Sequence, residues 1–454
     1  MGRSKSKAKE NNMKWWQLSL FGVGCTIGTG FFLGSSLAIR MAGPSILIAY
    51  FIAAVGTYFV FDALAKMTAN EPLQGGFRSY AKKAYGRWAG FSSGWVYWTS
   101  EVLIMGSQMT ALAIFSQFWF PKVPLWLFAT GYAILGLTVI LIGVGILNKL
   151  ENILAIIKVS AILMFIIISF LAIFGVLDGD QPIQYPNKMK EIFPGGIIGL
   201  WSAVIFAYYA FGGIEILGLM ATKLKNPKEA PKAGRVMLFS LMVIYAISIG
   251  LAVIMVAWSK FNAKESPFVI ALDAYHLAFI PHVFNATLII AGFSTMTASL
   301  YGVTTILVTL AEEGDAPASF AKKNKLKVPL PTLIVTMLGI AASVISALIM
   351  PNRIYEYITT AASLMLMYNW MFILVSPRKL LKIKAMAKIK YSIGFLLILI
   401  AVSGTLFQDS SRIGFFISLG FVAIIGIITL IMNLKWNKSK SKNKKRVLKP
   451  WPTA

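Results

Sequence analysis

Charge is scarce in this chain of 454 residues. Asp, Glu, Lys and Arg make up 13% of it, against about 25% in an ordinary soluble domain, which excludes a soluble globular enzyme. The hydrophobic share of 57% excludes a disordered chain. The single cysteine, Cys25, excludes a disulfide framework. The two histidines, His276 and His282, lie six residues apart without a carboxylate pattern beside them, and the sequence predicts no metal site and no cofactor.

Long apolar runs are abundant instead. Twelve charge-free runs contain at least 18 residues, and each is long enough to cross a bilayer as a helix. Because open sheets and irregular segments cannot satisfy their backbone groups in lipid, the pattern predicts an all-α polytopic membrane protein. The predicted spans 1 to 12 are 15–39, 41–61, 102–121, 123–148, 159–177, 192–214, 236–259, 274–311, 328–352, 357–377, 391–408 and 413–434.

The basic residues indicate how the chain crosses the membrane. With the amino terminus inside, 34 of the 43 Lys and Arg residues fall on the cytoplasmic side, 8 fall outside, and Lys158 lies at a span. This bias predicts a plasma membrane protein with a cytoplasmic tail at each end, 1–14 and 435–454. We interpret the net charge of +26 as topology anchors beside membrane lipids, and not as a nucleic-acid footprint.

Glycines cluster in the middle of spans 1 and 6. Four of the nine residues from 22 to 30 are glycine, and span 6 carries Gly212 and Gly213 in succession. Glycine costs about 1 kcal/mol relative to alanine inside a helix. We therefore expect both helices to be broken at mid-membrane, which is tolerated only where the backbone lines a cavity.

The position of the two breaks predicts an internal repeat. Spans 1 and 6 are five spans apart and therefore cross the membrane in opposite directions. Corresponding breaks of opposite direction indicate an inverted-repeat secondary transporter. The expected repeats are 15–176, with spans 1 to 5, and 192–376, with spans 6 to 10. Spans 11 and 12, in 391–434, would be two additional helices.

Broken helices offer main-chain groups to a substrate. N–H groups at the start of a half-helix favour a carboxylate, and carbonyls at the end of the preceding half-helix favour an ammonium group. An α-amino acid carries both groups, and the apolar Ile27, Phe211 and Ile214 favour a neutral one, whereas Glu101 or Glu215 could equally serve a cationic one. The predicted substrate-binding residues are Thr26, Ile27, Gly28, Thr29, Gly30, Tyr208, Tyr209, Ala210, Phe211, Gly212, Gly213 and Ile214.

These same motifs resemble those of a known family. The stretch from Thr26 to Ser35, with Gly213, Ile214 and Glu215 in span 6, resembles amino acid permeases of the amino acid, polyamine and organocation superfamily. The resemblance covers about residues 15–376. It implies a leucine-transporter-type fold, a site between spans 1 and 6 surrounded by spans 3, 8 and 10, and uptake coupled to protons. It also implies that Tyr209 and Phe211 gate the site, although packing is the alternative role of an aromatic there.

Three charged residues directly adjoin charge-free runs and are expected to lie well within the membrane helices, which makes them candidates for proton coupling: Lys158, Glu215 and Glu101. Each ionised group costs about 2.5–3.5 kcal/mol at mid-membrane, so all three should face the interior. Lys158 resembles the span 5 lysine of several such permeases, and either carries the coupled proton or permanently anchors the carbonyls of span 1. Glu215 either caps a half-helix or contacts the substrate. Glu101 either lines the route or bonds between helices, and Gln108 stands on the same helical face where the family often has Glu.

The pattern therefore predicts a secondary active transporter that imports an amino acid by proton symport with alternating access. Its partners would be the amino acid, the proton and membrane lipids. An amino acid exchanger without net proton flow and a nutrient sensor of the same fold remain alternatives. An enzyme is disfavoured, because the spans hold no nucleophile–base pair and no metal-ligand cluster. The sequence leaves the particular amino acid and the oligomeric state open.

Overall fold

The computed structural model describes residues 13–142, 144–177, 179, 183–262, 264–273, 275, 277, 279–322, 329–349 and 354–447. His276, residues 1–12 of the predicted amino-terminal tail and residues 448–454 of the carboxy-terminal tail lie outside them. Side chains are not described for 144–150, 346–349, 354 and 439–447.

The described residues form α-helices joined by short connections. In chain order the helices are α1 Trp15–Thr26, α2 Thr29–Phe32, α3 Gly34–Ala42, α4 Ile46–Asn70, α5 Phe77–Tyr85, α6 Arg87–Gln117, α7 Leu125–Ile142, α8 Val144–Ile173, α9 Met189–Ile192, α10 Gly196–Tyr209, α11 Ile214–Met220, α12 Ala230–Met255, α13 Pro267–Asp273, α14 Ile280–Glu312, α15 Leu330–Ile349, α16 Ile354–Val375, α17 Pro377–Leu380, α18 Ala385–Gly404 and α19 Asp409–Val447. Short 3-10 helices lie at Gly43–Ser45, Ala221–Lys223, Pro227–Glu229, Trp258–Lys260 and Ala318–Ala321.

The all-α membrane architecture expected from the sequence is confirmed. Within the described part of the chain, nine helical segments are long and apolar enough to cross a membrane. Where the structure describes them, the twelve charge-free runs are mainly helical, although the run 123–148 extends from α7 into α8, and the number of crossings and the repeat remain predictions. Helices α6 and α8 begin well before their charge-free runs, because buried charged residues continue the helix beyond the uncharged stretch.

Burial separates a central set of helices from a peripheral one. Helix α6 packs against α14 and α16, while α8 packs against α1 and α14. Helices α7 and α19 instead expose large apolar side chains, including Leu127, Ile134, Ile424 and Leu430. Exposed apolar surface of this extent is typical of contact with lipid, so the central helices are the ones that can hold a polar site.

An ion-pair cluster joins α5 to the segment that follows α14. The fully buried guanidinium of Arg78 donates to Glu313 and to Asp315, each at 2.8 Å. Lys82 Nζ lies 2.5 Å from Glu313 Oε2, and Arg87 Nε donates to Asp315 Oδ1 at 2.6 Å. Partial burial by itself would raise the pKa of Glu313, but the hydrogen bonds and charges of Arg78 and Lys82 outweigh it and lower that pKa below its ordinary value.

The chain just before α1 pairs with the chain just after the 3-10 helix that continues α11. Met13 N–H donates to the Lys223 carbonyl at 3.3 Å, and Lys225 N–H donates to the Met13 carbonyl at 3.0 Å. These two bonds form a short parallel bridge between Met13 and Leu224. The bridge joins the end of α1 to the end of the α11 segment, in each case the end that lies farthest from the break.

Candidate functional site

The two predicted breaks are present and touch each other. Helix α1 ends at Thr26, where the Ile27 N–H donates to the Val23 carbonyl at 3.0 Å, and α2 begins at Thr29. Helix α10 ends at Tyr209, and α11 begins at Ile214. Between them Gly213 has φ of 109°, in the left-handed region that favours glycine.

Gly213 also permits the backbones to approach closely. A Cβ atom placed on it would lie 2.8 Å from the Cys25 carbonyl oxygen. Any larger residue would therefore push the two broken helices apart. The glycine is required both by its backbone angle and by this contact.

A cavity of about 30 Å³ lies at the meeting of the breaks. Residues from both broken helices line it, together with one face of α6 and one face of α14. The lining residues are Cys25, Thr26, Gly28, Thr29, Gly30, Glu101, Ile104, Gln108, Tyr209, Gly212, Gly213, Thr295 and Ser299.

Buried oxygen atoms without hydrogen-bond partners surround this cavity. Thr26 Oγ1, Glu101 Oε2 and Gln108 Oε1 have none among the residues that the structure describes. An unpaired buried polar atom costs about 1–3 kcal/mol, so native proteins rarely keep several together. The Glu101 and Gln108 oxygens accept hydrogen bonds and the Thr26 hydroxyl can either accept or donate one, so a ligand that donates hydrogen bonds, such as an ammonium group, would satisfy all three. The amides of Gly28, Thr29 and Gly30 supply the opposite chemistry, because the first N–H groups of a helix have no partner within it.

Tyr209 forms one wall of the cavity and packs against the first broken helix. Its ring lies so close to Gly30 that a Cβ atom there would stand 3.0 Å from Tyr209 Cδ1. The Tyr209 hydroxyl is 2.8 Å from the Ser107 hydroxyl of α6. Tyr209 thus links α10 to α2 through its ring and to α6 through its hydroxyl group.

The structure places several predicted site residues outside the cavity lining. They are Ile27, Tyr208, Ala210, Phe211 and Ile214, all of which are buried elsewhere. The Phe211 ring packs against Tyr245 at a centroid distance of 5.2 Å and lies 6.3 Å from Tyr50, and the Tyr245 hydroxyl donates to the Ala210 carbonyl at 3.0 Å.

The Lys158 side chain contacts the first broken helix close to its break. Its ammonium donates to the Gly24 carbonyl at 2.5 Å and to Ser294 Oγ of α14 at 2.6 Å. Its Nζ also lies 3.5 Å from Glu151 Oε1, and both side chains of this ion pair are buried. Lys158 thus holds the residue next to Cys25, which itself lines the cavity.

Glu215 accepts hydrogen bonds on both carboxylate oxygens. The Gly213 N–H donates to Oε2 at 3.0 Å, and the Trp370 indole N–H donates to Oε1. These contacts place the carboxylate at the start of α11, which is the geometry of a helix cap. Glu215 is absent from the cavity lining, whereas Glu101 is part of it.

Several residues around the site were not among the predicted site residues, and the lining also contains Cys25, Ile104 and Gln108. Thr295 and Ser299 line the cavity from α14, and Ser294 and Glu151 bind Lys158. The spacing of four residues between Thr295 and Ser299 is a helical-face signal, but hydroxyl residues are common in membrane helices. Glu151 lies seven residues before Lys158, which places both on one helical face.

Potential metal ligands are not clustered in the described residues. No group of three or more His, Cys, Asp and Glu side chains lies there in a position to hold a metal ion. His282 instead accepts a hydrogen bond on Nδ1 from the Trp119 indole N–H at 2.9 Å.

A cavity between two broken, buried helices of an apolar bundle is typical of a multi-pass membrane transporter. The chain belongs to the amino acid permease family, whose model matches residues 17–446, and this family consists of transporters and not of enzymes. It is 53% identical to the uncharacterized transporter YcgH of Bacillus subtilis (strain 168) over 96% of this chain and 98% of that protein. It is 29% identical to the aromatic amino acid transport protein AroP of Escherichia coli (strain K12) over 84% of each chain.

A solved structure shares the fold. A mutant of the manganese transporter of Eremococcus coleocola superposes with a TM-score of 0.59 at 16% identity, covering 96% of each chain. At this identity the likeness concerns the fold alone. The family resemblance expected from the sequence is thus confirmed by the family model and by the curated relatives.

Proposed function

We propose that this protein imports a neutral amino acid across the plasma membrane by proton symport with alternating access, with both termini in the cytoplasm. The observation that carries the proposal is the convergence of unpaired acceptors and half-helix N–H groups on one cavity. The acceptors suit the ammonium group of a zwitterion, and the amides at the start of α2 suit its carboxylate. Substrate recognition then rests mainly on main-chain and uncharged groups, with Glu101 as the one ionisable carboxyl in the lining.

The small cavity supports the alternating-access part of the proposal. At a volume of about 30 Å³ the cavity is narrow, and we infer that it widens to admit a whole amino acid. Substrate entry requires α2, α10 or their side chains to move, and Tyr209 is the aromatic residue that blocks the space. We therefore assign the gating role to Tyr209, while Phe211 packs in the neighbouring aromatic cluster.

The cavity lining supports a neutral substrate of apolar character. No Lys, Arg or His side chain is among its lining residues, which disfavours an acidic substrate, and Ile104 and Tyr209 offer apolar surface, although the Glu101 carboxyl would also suit a cationic substrate. The relative AroP is an aromatic amino acid transport protein, and we extend that substrate class to this chain as the first to be tested.

The buried ion pair of Lys158 and Glu151 beside the first break supports proton coupling. A buried charge that contacts the broken helix can change the stability of the closed conformation when it gains or loses a proton. A membrane potential of 100 mV is worth about 2.3 kcal/mol per charge, which is enough for roughly 50-fold accumulation of a neutral solute with one proton.

The test is uptake of each of the twenty amino acids into proteoliposomes, with and without an inward proton gradient. We expect accumulation of neutral amino acids that depends on the gradient. Counterflow without gradient-driven accumulation would indicate the exchanger instead. Absence of both uptake and counterflow for all twenty would contradict the proposal.

A pair of threonine variants tests whether the cavity is the binding site. Thr26→Val removes an unpaired acceptor from the cavity, and we expect about a 5- to 10-fold rise in KM, from about 1 kcal/mol of lost hydrogen bonding. Thr57→Val is the matched control, because Thr57 Oγ1 is also buried without a partner but lies on α4, outside the cavity lining. An equal effect of both variants would place the substrate elsewhere.

A further inference from the structure

Glu151 contacts the same atoms as Lys158 but has no role in the mechanism above. It lies on α8 with no exposed surface, and Ser294 Oγ donates to its Oε1 at 2.6 Å. A Cβ atom placed on Gly24 would stand 2.9 Å from Glu151 Oε1, so the carboxylate also lies directly against α1. Its second oxygen, Oε2, is buried and has no hydrogen-bond partner among the described residues.

The hydrogen bonds around Lys158 determine which of its protons are in use. An ammonium group has three donors and no acceptor. Lys158 Nζ faces three oxygens, those of Gly24, Ser294 and Glu151. The Ser294 hydroxyl proton is directed to Glu151, so Ser294 can only accept from Lys158. Removing a proton from Lys158 would therefore turn its nitrogen lone pair toward an acceptor oxygen.

Glu151 is the member of the pair that can take a proton without losing a contact. Oε1 accepts from Ser294 and faces Lys158, whereas Oε2 is unused. A proton on Oε2 leaves every hydrogen bond of the pair intact but removes the negative charge that balances the ammonium. Because interacting groups titrate as a unit, this added proton belongs to the pair while residing on the carboxyl.

We infer that Glu151 takes up the coupled proton while Lys158 remains an ammonium group bound to the Gly24 carbonyl. This inference rests on the proposed proton symport. A proton binds to Oε2 when the substrate site is loaded, and it leaves from the same oxygen when transport is complete. No other bond is formed or broken. Neutralising Glu151 weakens its hold on Ser294, whose neighbour Thr295 lines the cavity and accepts from Gln108 at 3.1 Å.

Few other titratable groups face this pair. Helix α1 contributes the buried Cys25 thiol, and α6 contributes Glu101 at the cavity. Helix α14 contributes only the uncharged Ser294 and Thr295 at this level. The pH dependence of coupling should therefore follow Glu151, with Glu101 as the competing carboxyl to be tested in parallel.

The experiment uses the full chain in proteoliposomes and a radiolabelled mixture of the twenty amino acids. Glu151→Gln should lose at least about 10-fold of gradient-driven accumulation, yet retain counterflow into vesicles preloaded with the unlabelled mixture. Lys158→Arg, which keeps a permanent cation, should retain gradient-driven accumulation. The exposed Glu191→Gln is the control for substitution of a carboxylate and should behave as wild type.

Two outcomes with the Glu151→Gln and Lys158→Arg variants would overturn the inference. One is gradient-driven accumulation at the wild-type level in Glu151→Gln. The other is a Lys158→Arg protein that performs counterflow but has lost gradient-driven accumulation, since that would assign the proton to the lysine. If Glu151→Gln loses counterflow as well, Glu151→Asp decides: a shifted midpoint of the pH profile supports the inference, and an unchanged one overturns it. Wild-type protein without gradient-driven accumulation would instead refute the proposed symport.

Discussion

The hydroxyl groups of Tyr209 and Ser107 lie 2.8 Å apart and join the second broken helix to α6 beside the cavity. Tyr209→Phe keeps the ring against Gly30 but removes this bond. A net hydrogen bond of about 0.5–1.5 kcal/mol corresponds to a factor of about 2 to 10. We expect the described conformation to be weakened by that factor, and because it must widen before substrate can enter, the KM for uptake should fall by up to the same factor.

The neighbouring tyrosine provides the control for this variant. The Tyr208 hydroxyl is buried without a partner among the described residues, and its ring lies 6.1 Å from that of Trp370. Tyr208→Phe should leave the KM unchanged. A larger effect at Tyr208 than at Tyr209 would mean that the gate has been assigned to the wrong residue.

Cys25 provides a reporter of cavity opening without any engineering, because it is the one cysteine of the chain and lines the cavity. Its side chain is 5% exposed, so alkylation by N-ethylmaleimide should be slow in the closed conformation. We expect a transported amino acid to slow it further and Tyr209→Ala to accelerate it. Alkylation as rapid as that of a free thiol, and insensitive to every amino acid tested, would show that the cavity is open.

Replacing Gly213 by alanine should disrupt the contact between the two breaks. A non-glycine residue in the left-handed region costs about 1–2 kcal/mol, and the new Cβ would also press on the Cys25 carbonyl. We expect a loss of uptake of at least about 10-fold together with a lower melting temperature. The control is Gly420→Ala on α19, where nothing lies within 4 Å, and this should stabilise the helix by up to about 1 kcal/mol. Wild-type uptake by Gly213→Ala would argue against tight contact of the breaks.

The carboxylate of Glu313 should stabilise the protein in a pH-dependent manner. Because its pKa is lower in the folded protein than its ordinary value of 4.5, its ionised form stabilises the fold above that value, and this contribution is lost as the pH falls through the lowered pKa. We expect Glu313→Gln to lower the melting temperature by a constant amount between pH 6 and 8, and the difference from wild type to shrink below about pH 4.5.

The exposed pair of Glu71 with Lys83 is the control for Glu313. Ion pairs of this kind contribute about 0–1 kcal/mol, so Glu71→Gln should change the melting temperature little at any pH. If the difference between wild type and Glu313→Gln grew on acidification, the sign of the pKa shift would be wrong.

The sequence predicted the breaks because glycine is costly inside a helix, and the structure places both breaks within the predicted residues. It also placed Glu101 and Gln108 on one helical face, and both line the cavity. Regular helical spacing made that face predictable.

Other features lay beyond this kind of reasoning. Phe211 belongs to an unwound segment, where no periodicity fixes the direction of a side chain, and the structure buries it beside Tyr245. Glu151 lies outside the charge-free run 159–177, yet it belongs to α8, which begins at Val144. A charge-free run locates the apolar part of a helix and not its full length, so the partner of Lys158 was missed.

The bridge between Met13 and Leu224 has a mechanical consequence. Two backbone hydrogen bonds couple the chain that enters α1 to the chain that leaves α11. Moving either half-helix alone would therefore break both bonds. Moving the two half-helices together leaves both bonds intact. The paired motion therefore needs less energy to open the cavity at that end.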